Sequence, residues 1–316
     1  MRFSLAIIGC FFATSAGAFS INEIDNAEYN GMALPSGQSG LTVVLQVLLD
    51  RAGVSPGVID GYQGDMSTSA LRGFEALRGF KVDGLLDDEV WTALGGNEAA
   101  PAIKSYELTS EDTANLTSSI PDNVREKAAM DKLGYVRVTE KLAERFHMDE
   151  DFLIQLNPDA DFSAGSTIIV TDVGPDAGET VTRIEIRKSD RRAVAFNADG
   201  QMVTNYPVAI GSVETPSPEG DMIIEAIAID PTYSYRPDVN FTADGVTDSL
   251  TLPPGPNGPV GTVWLDLTKP TYGLHGTDTP SKLFTQNSHG CVRFTNWDIT
   301  ELANMVNAGT KVEFVE

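Results

Sequence analysis

The hydrophobic periodicity of the chain changes near residue 180, and this change limits the folds that its 316 residues can adopt. Before it, apolar residues recur three or four positions apart, which is helical spacing. After it, short segments such as 183–187 alternate polar and apolar residues, as half-buried strands do. One late helix is predicted before Gly309. The pattern predicts a multidomain α+β protein whose C-terminal part is a mainly-β sandwich with one helix.

Turn and linker signals divide the chain further. The predicted segments are a signal peptide over 1–18, a leader over 19–39, a helical module over 40–96, a linker or extension over 97–134, a strand–helix–helix–strand module over 135–174 and the β-rich domain over 180–316. In the helical module, Asp60-Gly61 and Asp83-Gly84 follow successive loops, which indicates an internal near-repeat. In the next module we predict a first strand at residues 136–138. In the β-rich domain, 202–203 and 206–210 are predicted as separate strands.

The first residues have the composition of a secretory signal. Met1-Arg2 supplies a positive charge, residues 5–12 form a short apolar core, and Ala16-Gly17-Ala18 is the small-x-small pattern that signal peptidase accepts. The apolar run is shorter than the ~20 residues that span a bilayer. We therefore predict an exported protein with no membrane span. A lipoprotein signal that ends at Cys10 is an alternative.

Charge and cysteine content narrow the function. The formal net charge of −23 opposes binding to nucleic acid, whose phosphates are also negative. Removal of the signal would take Cys10 with it and leave Cys291 alone, so no internal disulfide could form. An unpaired thiol is a liability in an oxidising compartment. This indicates that Cys291 is kept for its chemistry, with a buried inert thiol as the alternative.

Two of the three histidines, His275 and His289, lie shortly before Cys291. A thiol with its ordinary pKa of ~8.5 is mostly protonated at neutral pH and needs a base to react. A nearby imidazole can take that proton and later return it to a leaving amine. The two histidines, Cys291 and Asp278 could instead bind zinc. Their spacing matches no familiar zinc site, and a metal would occupy the thiolate. We therefore expect neither a metal nor a cofactor.

These residues stand in a run, His275-Gly276-Thr277 and then Ser288-His289-Gly290-Cys291-Val292-Arg293, that resembles the catalytic domain of L,D-transpeptidases of the YkuD type. The likeness extends over 180–316. It implies that Cys291 is the nucleophile and His275 the proton acceptor and donor, with His289 beside the thiolate. It also implies an oxyanion hole formed by the N–H groups of Gly290 and Cys291.

The same resemblance assigns the remaining residues of the two motifs. Ser288, Gly276 and Thr277 would shape the substrate pocket, and the carbonyl of Gly276 would accept a hydrogen bond from an imidazole nitrogen. Arg293 would bind a substrate carboxylate or order its loop, with a structural ion pair as the alternative. Outside the motifs, Asp298 and Asn296 are interpreted as cap or turn residues of the late helix.

The upstream modules resemble companions of this domain. Residues 40–96 resemble the peptidoglycan-binding type 1 module through Ile59-Asp60-Gly61, Phe74 and Val82-Asp83-Gly84, although Glu75 stands where that module usually has glutamine. Residues 135–174 are similar to a LysM domain, which binds glycan; a structural spacer is the alternative. His147, in this module, is interpreted as a surface or capping residue. The implied partners are peptidoglycan stem peptides and glycan.

The family resemblance implies an acyl transfer on peptidoglycan. The thiolate would attack the bond between the third residue of a tetrapeptide stem and D-alanine, form a thioester and pass the acyl group to an amine. Cross-linking, lipoprotein attachment and D-amino-acid exchange share this chemistry. The resemblance also implies acylation by carbapenems and a periplasmic or wall-associated location. The alternatives are a catalytically dormant wall-binding protein and a cysteine L,D-carboxypeptidase or endopeptidase on the same stems.

Overall fold

The computed structural model describes residues 20–237 and 245–316. The predicted signal peptide over 1–18 therefore lies outside the described residues. Among the helices in these two ranges, none is both long enough and apolar enough to cross a membrane. Along the chain, a helical module is followed by a module of two paired strands with three α-helices between them, and then by a mainly-β domain.

The helical module consists of α1 (Ile21–Asp25), α2 (Gly40–Arg51), α3 (Asp65–Arg78) and α4 (Asp88–Ala93). The hydroxyl of Ser39 caps α2 by accepting the N–H of Thr42 at 3.1 Å. Helices α2, α3 and α4 share one apolar core, which includes Leu45, Leu49, Leu71, Phe74 and Trp91, whereas Ile24 of α1 packs in the core of the middle module. The predicted helical module is confirmed.

Two loops of this module are held in the same way, as a near-repeat requires. Gln46, on α2, accepts the N–H of Gly61 at 2.8 Å. Glu75, on α3, accepts the N–H of Gly84 at 2.9 Å. Both glycines have positive φ, +78° and +74°, a conformation that glycine adopts without steric cost. Glu75 therefore gives its loop the carbonyl-type acceptor that Gln46 gives the other.

The middle module contains β1 (Ile103–Glu107), α5 (Val124–Ala128), α6 (Val138–Arg145), α7 (Glu150–Leu156) and β2 (Thr167–Thr171). β1 and β2 pair antiparallel, with Ile103 opposite Thr171. The two predicted helices and the closing strand are confirmed, but the first strand at residues 136–138 is wrong. Val138 begins α6, because Glu140 turns back to accept the N–H of Arg137. The first strand is β1, which lies inside the predicted linker.

Within its described residues, the C-terminal domain has one late α-helix, α8 (Asn296–Met305), and ten strands: β3 (Arg183–Arg187), β4 (Arg192–Phe196), β5 (Met202–Pro207), β6 (Gly220–Ile229), β7 (Tyr233–Tyr235), β8 (Leu250–Leu252), β9 (Val263–Leu267), β10 (Gly273–His275), β11 (Val292–Arg293) and β12 (Lys311–Val315). Eight of them form one sheet in the order β11-β10-β9-β6-β12-β3-β4-β5. Buried residues of both its halves share a core with α8, so the sheet curls around that helix. The mainly-β domain with one late helix is confirmed. Residues 206–210 are not a separate strand: β5 ends at Pro207, and Ala209 makes a single bridge to Arg293.

The predicted linker over 97–134 also packs as an extension onto the C-terminal domain. Strands β7 and β8 form a hairpin, and α5 lies against it. Val124 and Leu133 of the extension share a small apolar core with Tyr235, Val246 and Leu252. The N–H of Leu133 donates to the carbonyl of Pro254 at 2.8 Å.

All three modules meet at one cluster, which we call the junction and define as Asp50, Ser55, His147, Trp297 and Asp298. His147 bonds through Nδ1 to the carboxylate of Asp50 at 2.9 Å and stacks on Trp297, with ring centroids 5.3 Å apart. Ser55 donates to Asp298 at 3.1 Å. His147 does follow the end of α6, but its side chain is only 18% exposed. Its interpretation as a surface residue is therefore wrong, since the other modules cover it.

Candidate active site

Cys291 and His275 come from neighbouring segments at the edge of the sheet. β10 and β11 run parallel, with Leu274 beside Val292 and His275 beside Arg293. Leu274 and Val292 are buried in the core. Because strand residues alternate between faces, His275 and Arg293 point to the opposite face. Cys291 lies two residues before Arg293 and therefore shares that face.

A cavity of about 380 Å³ opens on this face of the sheet. Its wall includes Cys291, His275, His289, Ser288, Arg293, Tyr233, Trp264, Thr271, Tyr272, Glu214 and Pro216. Five residues of the two sequence motifs thus meet at one opening, although they are separated along the chain. His289 is exposed at this opening.

The imidazole of His275 is fixed by its own neighbour and by a tryptophan. Nδ1 lies 2.7 Å from the carbonyl oxygen of Gly276. A carbonyl can only accept, so Nδ1 carries the proton and Nε2 is left as an acceptor. The ring stacks on Trp264 at a centroid distance of 5.5 Å. Burial, aided by the charge of Arg293, lowers the pKa of His275 to about 4. The imidazole is therefore neutral at pH 7 and able to accept a proton.

The thiol of Cys291 is the matching donor. It is partly exposed and donates to the carbonyl of Thr271 at 3.6 Å. Burial raises the pKa of Cys291, and this effect outweighs the opposing influences of a backbone hydrogen bond and of Arg293. Thiol and imidazole are consequently both neutral at rest. A proton must move between them before the sulfur can act as a nucleophile.

The turn before Cys291 is fixed by Ser288, which is 3% exposed. Its hydroxyl donates to the carbonyl of Cys291 and accepts the N–H of Gly290 at 3.1 Å. Gly290 has φ +114°, and a Cβ there would lie 2.8 Å from the ring of Tyr272. Only glycine fits this position. Because its N–H is already bound to Ser288, Gly290 is not a free donor, which corrects its expected place in an oxyanion hole.

Arg293 faces the cavity without a carboxylate partner. Among the described residues, no acidic side chain lies within ion-pair distance of its guanidinium, which only reaches the carbonyl of Asn287 at 3.5 Å. The alternative of a structural ion pair therefore finds no support in the described part of the chain. Its charge is available to a ligand in the cavity.

Comparison with known proteins agrees with this geometry. Residues 181–314 match the model of the L,D-transpeptidase catalytic domain, YkuD. The chain is also 32% identical over 177 residues to "Putative L,D-transpeptidase YkuD" of Bacillus licheniformis, covering 55% of this chain and 90% of that protein. This chain belongs to the L,D-transpeptidase family. The corresponding protein of Bacillus subtilis is 28% identical over 173 residues, which cover 54% of this chain and 89% of the relative.

The upstream region has its own match. Residues 39–94 match the model described as "Putative peptidoglycan binding domain". "Probable L,D-transpeptidase YbiS" of Escherichia coli K12 is 26% identical over 189 residues, covering 58% of this chain and 61% of that protein. Among solved structures, the L,D-transpeptidase of Xylanimonas cellulosilytica aligns with a TM-score of 0.41 and 16% identity, covering 92% of this chain and 98% of that one.

Two predicted pocket residues of this L,D-transpeptidase, Gly276 and Thr277, lie behind the cavity and not in its wall. The hydroxyl of Thr277 accepts the N–H of Thr279 at 3.3 Å. A Cβ on Gly276 would lie 2.2 Å from Oδ1 of Asn296. The side chain of Asn296 also donates to Glu144 of the middle module at 3.0 Å. Asn296 therefore packs behind the loop that follows His275, and its interpretation as a cap or turn residue is wrong.

Sequence reasoning gave no role to three aromatic residues of the cavity, namely Tyr233, Trp264 and Tyr272. Trp264 belongs to β9, and the pairing of β9 with β10 places it beside His275. Burial raises the pKa of Tyr233 to about 12, so its hydroxyl stays protonated at neutral pH. The alternation of Trp264 with buried Val263 and Leu265 is the one local signal that could have indicated its exposure on the active face.

Proposed function

We propose that this protein is a peptidoglycan L,D-transpeptidase in which Cys291 is the nucleophile and His275 the general base and acid. The observation that carries the proposal is the placement of a neutral thiol and a neutral imidazole on one face of the β10–β11 edge, in a cavity with an uncompensated arginine. Activation by proton transfer suits this pair, because neither group is charged at rest.

In the first half-reaction, Nε2 of His275 takes the proton of the Cys291 thiol. The sulfur then attacks the carbonyl carbon between the third residue of a stem peptide and its D-alanine, and the tetrahedral oxyanion accepts the N–H of Cys291. Collapse of this intermediate breaks the C–N bond. His275 gives its proton to the leaving nitrogen, so D-alanine departs with a neutral amine and a thioester remains.

In the second half-reaction, an amine from an acceptor attacks the thioester carbonyl. His275 now takes a proton from the attacking nitrogen, and the C–S bond breaks as the amide forms. The proton returns to sulfur, which restores the resting thiol. An acceptor stem would give a cross-link between two third residues, whereas water in the same step would give carboxypeptidase activity.

Side chains around the reacting pair have supporting roles in this proposal. Arg293 binds a carboxylate of the donor stem, for which its planar guanidinium is suited. Ser288 holds the turn so that the N–H of Cys291 faces the oxyanion, and Gly290 permits that turn. The exposed ring of His289 lies where the acceptor must enter.

The upstream modules suit an enzyme that works on the cell wall. The match of residues 39–94 to a peptidoglycan-binding model supports wall affinity for the helical module. We extend that role to the middle module, in which α6 and α7 precede β2 as the last three elements of a LysM domain do, although α5 stands between its paired strands as a third helix. Export through residues 1–18 would bring the protein to the periplasm or wall.

The test is to incubate the mature protein with disaccharide-tetrapeptide and to follow free D-alanine and products by mass spectrometry. We expect D-alanine release together with a cross-linked dimer, and neither from Cys291→Ala. Release of D-alanine without dimer, even with excess amine, would favour the carboxypeptidase alternative. No release by a folded protein that still binds peptidoglycan would favour the dormant wall-binding alternative.

A further inference from the structure

A second cavity of about 380 Å³ lies between the helical module and the catalytic domain. We call it the α3 groove. Its wall is formed by one side of α3 and by the residues around the β3–β4 turn, and includes Ser69, Arg72, Ala76, Arg191, Arg192 and Phe284. It is as large as the catalytic cavity, and the mechanism above does not use it.

Three arginines of the α3 groove lack a carboxylate partner. A fourth arginine of the groove, Arg187, is paired with Glu185, and outside the groove an acidic side chain lies within ion-pair distance of each of Arg51, Arg125, Arg137, Arg145 and Arg183. No described acidic group stands at such a distance from Arg72, Arg191 or Arg192. The groove wall thus carries four arginines against two aspartates, and one of the four arginines is paired with Glu185.

Arg192 is the most deeply buried of the three arginines, since it is only 2% exposed. Its guanidinium donates to Asn205 Oδ1 and Asn205 O, both at 2.6 Å, and to the carbonyl of Ser55 at 3.0 Å. All three acceptors are neutral. Burial lowers the pKa of Arg192 to about 9, although the nearby charges of Asp298 and Asp190 favour its charged form. An anion in the groove would add to this partial compensation.

Arg191 joins the groove to the catalytic turn. It donates to the carbonyl of Phe284 and, through Nη2, to Oδ1 of Asn287 at 2.7 Å. The carbonyl of Asn287 in turn accepts from Arg293. The next residue, Ser288, holds the turn at Cys291. The groove thus lies directly behind the segment that carries the nucleophile.

Two acidic residues, Asp65 and Asp190, also line the groove. A ligand that fits this wall therefore has carboxylates for the arginines and an amine for the aspartates. Neutral glycan has neither group, and a polyphosphate has no amine. A peptidoglycan stem peptide has both, since it ends in carboxylates and carries an amine on its third residue in the commonest stems.

We propose that the α3 groove is a second binding site for a peptidoglycan stem peptide, which it holds through carboxylates at Arg72, Arg191 and Arg192 and through an amine at Asp65 and Asp190. The inference rests on the proposed function, because it takes peptidoglycan as the polymer on which the enzyme works. The groove would hold a neighbouring stem next to the catalytic turn while another stem reacts at Cys291.

The experiment is a titration of the isotope-labelled mature protein, carrying Cys291→Ala, with disaccharide-tetrapeptide, monitored by amide NMR. We expect one set of shifts at the catalytic turn and a second at residues 68–76 and 189–192. Arg72→Glu should weaken the binding that produces the second set of shifts by about tenfold or more. Arg78→Glu, on the same helix but outside the groove, should change that affinity by no more than about twofold. Ala76→Trp should block it by filling the groove without a change of charge.

Titrations with two further ligands distinguish the possible sources of the anion. A tetrapeptide with amidated carboxylates should lose the second set of shifts, and inorganic phosphate should produce it only weakly. The proposal is overturned if Arg72→Glu and Ala76→Trp leave the second set unchanged, if the amidated peptide binds equally well, or if phosphate binds there more tightly than the peptide. Carbapenem acylation of the same variants with Cys291 restored keeps the two proposals apart. Normal acylation with no groove binding refutes the groove alone, whereas absent acylation of the parent refutes the proposed function.

Discussion

The catalytic cavity and the junction both place polar side chains in poorly solvated surroundings. At the junction these side chains are paired with one another, whereas in the cavity some have no protein partner among the described residues. At the junction, His147 has Asp50 and Trp297, and Asp298 has Ser55, each supplied by another module. In the cavity, Arg293 has no acidic partner among the described residues, and Nε2 of His275 is left as an acceptor. Groups that are already paired can only position the structure. Groups left unpaired can bind and react.

This contrast is sharpest for the two buried histidines. His275→Gln should lower turnover by about 10³-fold, because it removes the general base from a site whose thiol is not ionised at rest. His147→Gln should keep turnover within about threefold but lower the melting temperature by about 2–6 °C through loss of the junction contacts. Turnover assays and calorimetry on both variants check the pair. The opposite assignment of effects would break the comparison.

Ser288 belongs to the cavity by position but is fully paired, so it tests whether pairing there serves the reaction. Ser288→Ala should lower turnover by about 10–100-fold, because the Gly290 N–H and the Cys291 carbonyl lose their common partner and the nucleophile shifts. Ser281→Ala, an exposed serine on the same loop, is the matched control and should have no effect. Equal activity of both variants would show that the turn holds without the hydroxyl.

Removal of the uncompensated charge should change binding and pH dependence together. Arg293→Gln should raise KM about tenfold through the lost carboxylate contact. The charge of Arg293 lowers the pKa of His275, so its removal should raise that pKa above about 4. The base works only when neutral. The acid limb of kcat/KM, which falls as pH drops through this pKa, should therefore move to higher pH in the variant but not in Lys282→Gln. An unmoved limb would contradict the electrostatic account.

The smallest expected effect is at the junction. Burial raises the pKa of Asp298 to about 7, well above the ordinary value near 3.8. The folded state therefore binds this proton more tightly than the unfolded state, and the stability it contributes is lost as pH rises toward and through 7. Asp298→Asn should remove that loss. The melting temperature of the variant relative to that of the parent should therefore rise by on the order of 5 °C between pH 5 and pH 8.5. Asp159→Asn, an exposed control, should show no such trend.

The sequence predicts best those elements whose stabilising contacts lie within a few residues along the chain. The contiguous run from Ser288 to Arg293 defines its own turn. The cap of α8 is local as well, because the hydroxyl of Thr295 accepts the N–H of Asp298, three residues away. Trp264 is placed beside His275 by the pairing of β9 with β10, and Tyr233 lies on the separate β7–β8 sheet; no short segment specifies either arrangement.

Long-range packing explains the errors. β1 was missed because its pairing partner is more than sixty residues away and only Ile103 of its five residues is buried. The sequence pattern around His147 predicts a surface or capping residue because the groups that cover it belong to two other modules. The same reason hid Asn296, whose partner Glu144 lies in the middle module.

The measurement that tests the central claim most directly is intact-mass spectrometry of the mature protein after incubation with a carbapenem, followed by peptide mapping. The account predicts one covalent adduct per chain, located on Cys291 and absent from Cys291→Ala. His275→Gln should acquire the same adduct much more slowly. An unmodified Cys291 in folded protein, or an adduct that persists in Cys291→Ala, would contradict the assignment of this thiol as the nucleophile.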